Sequence, residues 1–378
     1  MKRSFAVAVA GPVLAVLAVL AGACGSSGSS IKSSTAIAPV LVNGALPHFD
    51  TPVTLRVLTH DSFAITQSVL DDFETATNVK VELIPSGDAV AMTNAAILTA
   101  GNPVADVIFG FDENLLGSVL EQKLLQAYTP ERLSGVDQSY VLDASGMATP
   151  IDHGDVCVNF DRAALTKSGV KIPATFDGLT QSSVKSKFVV EDPSTSTPGL
   201  SFVLATIAKF GGGEDTSPNA KWLSYWKQLK ANGVSVVDSW ETAYYGSFSG
   251  GSGKGDRPLV VSYASSPPAE VQDTSLAVES SPTGVITDTC YRQTEFAGIL
   301  RGAAHPRAAA AFLEFMLGSS FQSDVPGQMY VYPVVMGTPL PDTFAKYTAP
   351  VPNPLTLPYA DVAANRDRWI AQWSALFR

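Results

Sequence analysis

The strongest constraint on the fold is an alternation of strand and helix patterns between residues 53 and 112. Three apolar runs predict strands, and the two amphipathic segments between them predict helices. The strands are expected at 53–59, 79–84 and 105–111, and the helices at 61–77, capped by Asp61, and at 89–101. Elements linked in this way form a parallel sheet covered by helices, so the sequence predicts an α/β fold.

The polar residues that follow these strands are the first candidates for a binding site. His60 and Asp61 follow the first strand, and Asp88 follows the second. Asp112 ends the third strand. Because ligands bind beyond the carboxyl ends of parallel strands, we expect these four side chains to lie near a ligand.

A second α/β unit is predicted from about residue 155. Its strands are expected at 187–191 and 258–267, its helices at 197–209 and 219–233, and two helices that return to the first unit at 306–317 and 359–377. A chain of 378 residues is too long for one ordinary core and long enough for two lobes. We expect lobe 1 to comprise 51–152 and 268–378 and lobe 2 to comprise 153–267, with crossing segments near 150–157 and 263–270.

The N-terminus has the pattern of an exported lipoprotein. Residues 1–23 combine a short basic start, a long apolar run and small residues before Cys24, which predicts a signal peptide and lipidation of Cys24. Ala21 stands where Leu is commoner in such signals, so ordinary signal cleavage is the alternative. Residues 24–50 are expected to be a disordered tether, rich in Gly and Ser at its start, that holds the protein at the outer face of the cell membrane. No other run is apolar enough to predict a membrane span.

Charge and cysteine content narrow the functional classes. The chain has 25 Lys and Arg against 35 Asp and Glu, a balance that favours a cationic ligand over nucleic acid. Cys157 and Cys290 are the remaining cysteines, and an even pair in an exported chain predicts a disulfide. Free thiols and a metal site are the alternatives, although neither cysteine has a His or Cys at ligand spacing.

The segment "EDPSTSTPGL", residues 191–200, predicts a helix start beside a polar turn. Thr197 suits the N-cap and Pro198 the first helical position. Gly199 lets the backbone approach another group closely, and the free amides with the hydroxyls of 194–196 form a cradle for an anion or polar group. A plain helix cap on a solvent loop is the alternative.

Several segments, in order along the chain, resemble the periplasmic thiamine-binding proteins of ABC importers. They are "DSFA" (61–64), "ADVIFGFDENLL" (105–116), "EDPSTSTPGL" (191–200), "SWETAYYGSF" (239–248), "LVVSYASSP" (259–267), "YPV" (332–334) and "ANRDRWIAQW" (364–373). This family belongs to the two-lobed extracellular solute-binding proteins. The resemblance implies a type II-like periplasmic-binding-protein fold, with mixed sheets, helices on both faces and a hinge between the lobes.

The resemblance also implies a ligand and its contacts. Thiamine or a thiamine phosphate would lie between the lobes and pass to a permease driven by an ATPase. The turn of Ser196, Thr197 and Gly199 would hold the hydroxyethyl end or its phosphate, and Asp88 would lie near the cationic rings. Trp240 and Tyr263 would supply aromatic faces, which attract a thiazolium. The remaining implied contacts are His60, where the family tends to have Tyr, Tyr244, which matches the family, and Tyr330, where Trp is usual.

Two departures from the family pattern bear on the ligand. The tryptophan-bearing segment that often follows DSFA is replaced by residues 65–67, and the aromatic expected after SYxxSP is replaced by 268–270. Two stacking partners are therefore missing from the sequence. A phosphate ester or another small cationic heterocycle stays an alternative to thiamine.

Rival functions have weaker sequence support. Tyr244 and Tyr245 resemble the adjacent tyrosines of ferric-ion binders. The stretch "IDHGD" puts His153 between carboxylates, as in some hydrolases, but GxSxG and HExxH patterns are missing. Trp222, Trp226, Trp369 and Trp373 fall at helical spacing and predict core packing. We expect a monomeric binding protein without catalytic activity, cofactor or metal.

Overall fold

The computed structural model describes residues 37–251, 253–271 and 278–377. The predicted signal peptide and Cys24 lie outside these ranges. The described strands are β1 Val53–Thr59, β2 Val79–Pro85, β3 Val107–Asp112, β4 Leu125–Gln126, β5 Thr149–Asp161, β6 Phe188–Glu191, β7 Ser235–Val237, β8 Leu259–Tyr263, β9 Thr283–Leu300 and β10 Tyr332–Pro333. The described α-helices are α1 Gln67–Thr77, α2 Ala89–Leu98, α3 Glu113–Glu121, α4 Arg162–Lys167, α5 Thr197–Phe210, α6 Lys221–Ala231, α7 Pro306–Met316, α8 Ser319–Gln328, α9 Asp342–Tyr347 and α10 Tyr359–Phe377.

The strands form one mixed sheet in the order β2-β1-β3-β9-β5-β8-β6-β7. β1 pairs in parallel with β2 and β3 at one end, and β6 pairs in parallel with β7 and β8 at the other. The long antiparallel pair β5 and β9 joins these two parallel groups. The α/β architecture predicted from the sequence is confirmed, with a parallel group of strands in each half.

The segments that connect the two halves differ from the prediction on one side. The predicted crossing at 150–157 lies within β5. The second connection is β9, because Thr283 pairs with Asp161 near the β8 side and Ile299 pairs with Val107 of β3. The predicted crossing at 263–270 instead contains the end of β8 and a short 3₁₀ helix.

Apolar side chains fill the space between the sheet and its helices. The predicted core tryptophans are buried: Trp222 and Trp226 are fully enclosed, and Trp369 and Trp373 are 3% and 1% exposed. Trp226 and Trp373 meet edge to face with ring centroids 5.4 Å apart, which attaches α10 to α6. Residues 37–50, expected to be disordered tether, instead pack on the core through Val40, which is 2% exposed.

Two helix starts differ from the sequence prediction. α1 begins at Gln67 rather than near Asp61, because the Asp61 carboxylate accepts a hydrogen bond from the Gly87 N–H, 2.9 Å away, and braces the ends of β1 and β2. α5 is capped by Ser196, not Thr197, since the Ser196 Oγ accepts from the Gly199 N–H. Pro198 therefore lies at the second helical position, where its missing N–H still costs no hydrogen bond.

The predicted disulfide between Cys157 and Cys290 is present. It joins β5 to β9, and both cysteines are buried. Within the described residues, no helix has the length and apolar character needed to cross a membrane.

Candidate ligand-binding site

A cleft of about 280 Å³ opens between the two halves of the sheet. It lies beyond the carboxyl ends of β1, β2 and β8, where parallel sheets commonly bind ligands. The sequence-predicted residues that line it are His60, Asp61, Asp88, Thr197, Trp240, Tyr244, Tyr263 and Tyr330. The cleft therefore brings together most of the residues predicted to contact a ligand.

Asp88 connects the two walls of this cleft. Its Oδ1 accepts a hydrogen bond from the Ala89 N–H at 2.8 Å and caps α2, while its Oδ2 accepts from the Trp240 N–H at 3.0 Å. The Ala91 N–H also donates to the Thr195 carbonyl at 3.1 Å. One carboxylate thus holds a helix start on one wall and an aromatic residue on the other.

Trp240 and Tyr244 form an aromatic wall. Their rings stack with centroids 5.0 Å apart and an interplanar angle of 18°. The Trp240 Nε1–H donates to the Ser262 Oγ at 3.0 Å, and the Tyr244 hydroxyl donates to the Glu270 Oε1 at 2.7 Å. Because both polar tips are bonded to the protein, the ring faces stay in fixed orientations, an arrangement suited to a flat or cationic ligand.

The floor of the cleft is acidic. Glu295 of β9 lines it, and the carboxyl of Asp152, its register partner on β5, lies behind it. Burial raises the pKa of Glu295 well above its usual range, and the neighbouring Asp152 charge adds to the effect. Burial likewise raises the pKa of Asp152 to about 7.

His60 borders the acidic floor. Its Nε2 lies 4.0 Å from the Glu295 Oε2. Burial lowers the pKa of His60 despite the opposing effect of Asp88 and Asp61. Gly110, at φ +101°, gives the imidazole its space, since a Cβ there would collide with the ring.

Tyr330 lines the cleft from the loop between α8 and β10 with a left-handed backbone, φ +55°. This conformation is costly for an aromatic residue and needs support from its surroundings. Strained residues of this kind concentrate at ligand sites. The observation agrees with the predicted ligand contact, which itself stays a prediction.

Three predicted contact residues do not line the cleft. Asp112 is fully buried and accepts hydrogen bonds from Asn114 and from the Gln293 Nε2, each at 3.0 Å. Ser196 is fully buried as the cap of α5. A Cβ on Gly199 would lie 2.5 Å from the Glu191 carbonyl oxygen, so this glycine allows α5 to pack on β6 rather than on a ligand.

The predicted anion cradle at residues 194–196 is occupied by protein groups. The Ser194 hydroxyl donates to the Asp192 Oδ1 at 2.6 Å, and the Thr195 hydroxyl donates to the Asp238 carbonyl at 2.6 Å. Because Gly199 donates to Ser196 and Pro198 has no N–H, little of the expected donor set points into the cleft. Thr197 is the member of this turn that lines it together with Pro198.

Several lining residues escaped the sequence analysis, notably Glu295 and Ser266, and Tyr245 was considered there only as part of a ferric-ion site. Glu295 had a detectable signal, because it is an ionisable residue in the otherwise largely apolar run "EFAGIL". Ser266 lies in the segment "LVVSYASSP" that carries the family resemblance, and its Oγ is 2.9 Å from the Ser262 Oγ beneath Trp240.

The structure gives less support to the two alternatives, the ferric-ion site at Tyr244 and the hydrolase site at His153. Burial raises the pKa of Tyr244 well above its usual range, which opposes the phenolate that ferric ion requires. Among the described residues, no three or more His, Cys, Asp or Glu side chains are grouped so that they could hold a metal ion. His153 stacks between Tyr140 and Tyr332, with ring centroids 4.4 and 5.2 Å away, which indicates a packing role.

The known proteins that resemble this chain in sequence and structure are solute-binding proteins. Residues 58–322 match the family model described as bacterial extracellular solute-binding protein. The thiamine-binding periplasmic proteins of Salmonella typhimurium and Escherichia coli are each 31% identical over 343 residues, covering 89% of this chain and 96% of theirs. A solved structure titled periplasmic thiamin binding protein superposes with a TM-score of 0.72 at 28% identity, covering 88% of this chain and 98% of that one.

These matches confirm the resemblance and the fold class predicted from the sequence, a two-lobed periplasmic-binding-protein fold. They extend over nearly the whole described chain, and they include the strands and turns that form the cleft. The chain belongs to the bacterial extracellular solute-binding protein family.

Proposed function

We propose that this protein captures thiamine or a thiamine phosphate in the cleft and delivers it to the permease of an ABC importer. The observation that carries the proposal is the lining of the cleft. It joins the stacked faces of Trp240 and Tyr244 to the carboxylates of Asp88 and Glu295. The names of the relatives that cover most of the chain support the same ligand.

The charge of the lining favours a cation. Its acids are Asp61, Asp88, Glu241 and Glu295, and the described lining residues include neither Lys nor Arg. A permanently charged thiazolium gains from nearby carboxylates and from aromatic faces. A phosphate group lacks a basic partner there, so unphosphorylated thiamine is the ligand that the lining suits best.

Transport requires both capture and release of the ligand, and we infer that closing and opening of the lobes about a hinge supplies the two steps. Lobe 1 would comprise the β1–β3 side and lobe 2 the β6–β8 side, with β5 and β9 crossing between them. A ligand that touches both Asp88 and Tyr263 stabilises the closed arrangement and shifts the population toward it. The closed form would then dock on the permease, whose partner ATPase drives uptake.

The protein would be exported and held as a monomer at the outer face of the membrane. The family is extracellular, which supports export, and the sequence of residues 1–24 supports a lipid anchor at Cys24 on the outer face of the membrane. A protein of this kind works as a monomer that binds without catalysing a reaction. The buried disulfide between Cys157 and Cys290 suits an oxidising compartment.

Calorimetric titration and thermal shift with a ligand panel test the proposal. The panel contains thiamine, its mono- and diphosphate, ferric ion and polyamines. We expect thiamine to raise the unfolding temperature and to bind with one-to-one stoichiometry. Stabilisation by ferric ion alone would contradict the proposal, and stabilisation by polyamines alone would assign a different cationic ligand.

A further inference from the structure

Two carboxyl groups, those of Glu295 and Asp152, lie together at the floor of the cleft. Glu295 is 8% exposed and Asp152 is fully buried, and the two face each other across the β5–β9 pair. Neither oxygen of Asp152 accepts a hydrogen bond from an N–H or hydroxyl group of the described residues. The side chain that faces it across the strand pair is the Glu295 carboxyl.

A hydrogen bond between two carboxyl groups requires a proton, because two carboxylates only repel each other. The groups that face Glu295 make full ionisation still harder. They are His60 after β1, Asp88 at the start of α2, Asp112 at the end of β3, Asp152 on β5 and Tyr263 on β8. None of these five is a Lys or Arg, and the imidazole of His60 is buried.

The basic side chain closest in sequence is already paired. Arg292 lies three residues before Glu295 on β9, and its Nε donates to the Asp155 Oδ1 at 3.0 Å. It does not line the cleft. Among the described residues, the floor therefore has no Lys or Arg to neutralise its carboxyl groups.

We propose that Glu295 is a specificity-determining residue that shares a proton with Asp152 in the free protein and exchanges it for the positive charge of the ligand. This inference rests on the proposed function and assigns a role to the floor of the same cleft. On binding, the O–H bond of the shared carboxyl breaks, the proton leaves to solvent, and the cation takes its place beside the carboxylate pair. A neutral or anionic molecule cannot make this exchange, so the floor selects for cations.

The proton exchange predicts the direction in which the affinity for thiamine changes with pH. Binding favours the deprotonated pair, so thiamine should bind more tightly as the pH rises. Burial raises the pKa of both carboxyls, to about 7 for Asp152 and well above the usual range for Glu295, so the pair still holds a proton at neutral pH. Affinity should rise by up to about tenfold per pH unit as long as the free protein holds one proton more than the complex.

Calorimetric titration of the full chain with thiamine, between about pH 6 and pH 8, tests the exchange. Each titration is repeated in two buffers of different ionisation enthalpy, which yields the number of protons released. We expect the wild type to release close to one proton per thiamine near neutral pH. Binding without proton release and without pH dependence would overturn this inference and leave the proposed function intact.

Two isosteric variants locate the proton. Glu295→Gln should abolish proton release, flatten the pH dependence and weaken binding by about tenfold or more. Asp152→Asn removes the neighbouring charge that adds to the raised pKa of Glu295, so it should reduce the proton release and shift the pH dependence to lower pH. Any titration of thiamine itself is common to all the proteins and cancels in the comparison. Proton release that survives in Glu295→Gln would place the proton elsewhere and overturn the assignment.

A matched control and a folding check complete the experiment. Glu121→Gln changes an exposed carboxyl at the end of α3 and should behave as the wild type. Thermal unfolding of each ligand-free variant shows whether it folds, and the wild-type proton count decides the question even where a variant does not. Failure of the wild type to bind thiamine at every pH would overturn the proposed function together with this inference.

Discussion

The carboxylate of Asp88 accepts a hydrogen bond from the backbone N–H of Trp240, 3.0 Å away and 152 residues later in the chain. One residue starts α2 in the first half, and the other carries the aromatic wall of the second half. This contact fixes the position of a negative charge relative to an aromatic face. A thiazolium bound against the face would lie close to the charge.

Replacing Asp88 with Asn should weaken thiamine binding more than it weakens the fold. Asn can still cap α2 with its one acceptor oxygen, but it loses the charge that attracts the cation and one of the two backbone hydrogen bonds that Asp88 accepts. We expect about a tenfold rise in Kd and a loss of about 1 kcal/mol in the free energy of unfolding. Calorimetric titration and urea denaturation measure the two effects. Asp72→Asn, an exposed change on α1, is the control, and equal losses in both variants would contradict the role of Asp88.

Trp240→Ala should abolish the thiamine-dependent rise in unfolding temperature and leave the ligand-free protein nearly as stable. Trp240 is half-buried in the cleft, so its removal takes away ligand contact more than core. Trp226→Ala is the opposite control, because Trp226 is fully buried, and it should cost about 3–5 kcal/mol of stability. Thermal shift with and without thiamine distinguishes them. Collapse of ligand-free Trp240→Ala would assign Trp240 to the core instead.

Thiamine should bind more tightly than its phosphate esters. The described lining residues carry four acids and no Lys or Arg, and the hydroxyls of Ser194 and Thr195 already bond to protein groups. Repulsion by this lining predicts at least about a tenfold lower affinity for the diphosphate. Parallel titrations at one salt concentration measure it, with inorganic phosphate as a control for anion binding. Equal or tighter binding of the diphosphate would show that the start of α5 does hold a phosphate.

The local sequence pattern predicted the positions of most strands and helices, and it failed where a distant contact sets the start of an element. The strands near 53–59 and 79–84 follow from alternation alone, and β1 and β2 occupy those positions. The start of α1 does not follow from the sequence pattern, because Asp324 fixes Thr66, the residue before the helix. The Asp324 Oδ1 accepts a hydrogen bond from the Thr66 hydroxyl at 2.6 Å, and its Oδ2 accepts one from the Thr66 N–H at 2.7 Å. That contact spans 258 residues and has no local signal.

The residues of the cleft were likewise predicted where a local pattern marks them and missed where a distant contact positions them. The family resemblance pointed to Trp240, and the strand-end rule pointed to His60 and Asp88, and all three line the cleft. Glu295 was missed because its place in the cleft depends on the register of β9 against β5, which pairs it with Asp152. Asp112 follows the same strand-end rule as Asp88, yet its carboxylate faces Asn114 and Gln293 inside the protein.

The disulfide between Cys157 and Cys290 should contribute strongly to stability. It closes a separation of 133 residues and joins the two strands that cross between the halves. The double variant Cys157→Ala/Cys290→Ala should lose about 2–5 kcal/mol of unfolding free energy. Urea denaturation measures the loss, and reductant added to the wild type should reproduce it. An unchanged midpoint in both experiments would show that the bridge is dispensable.

Gly199→Ala should destabilise the fold through backbone crowding. The new Cβ would lie 2.5 Å from the Glu191 carbonyl oxygen, so α5 must move away from β6. Overpacking of this kind costs about 1–3 kcal/mol. Because Thr197 and Pro198 of the same turn line the cleft, we also expect weaker thiamine binding.

Gly327→Ala is the matched control for that variant. Gly327 lies near the end of α8, and a Cβ there would meet nothing within 4 Å. Replacing a helical glycine with alanine in open space should be neutral or add up to about 1 kcal/mol of stability. Urea denaturation of both variants gives the comparison. If Gly199→Ala is as stable as Gly327→Ala, then α5 and β6 have room to separate, and the start of α5 is not held at a fixed distance beneath the cleft.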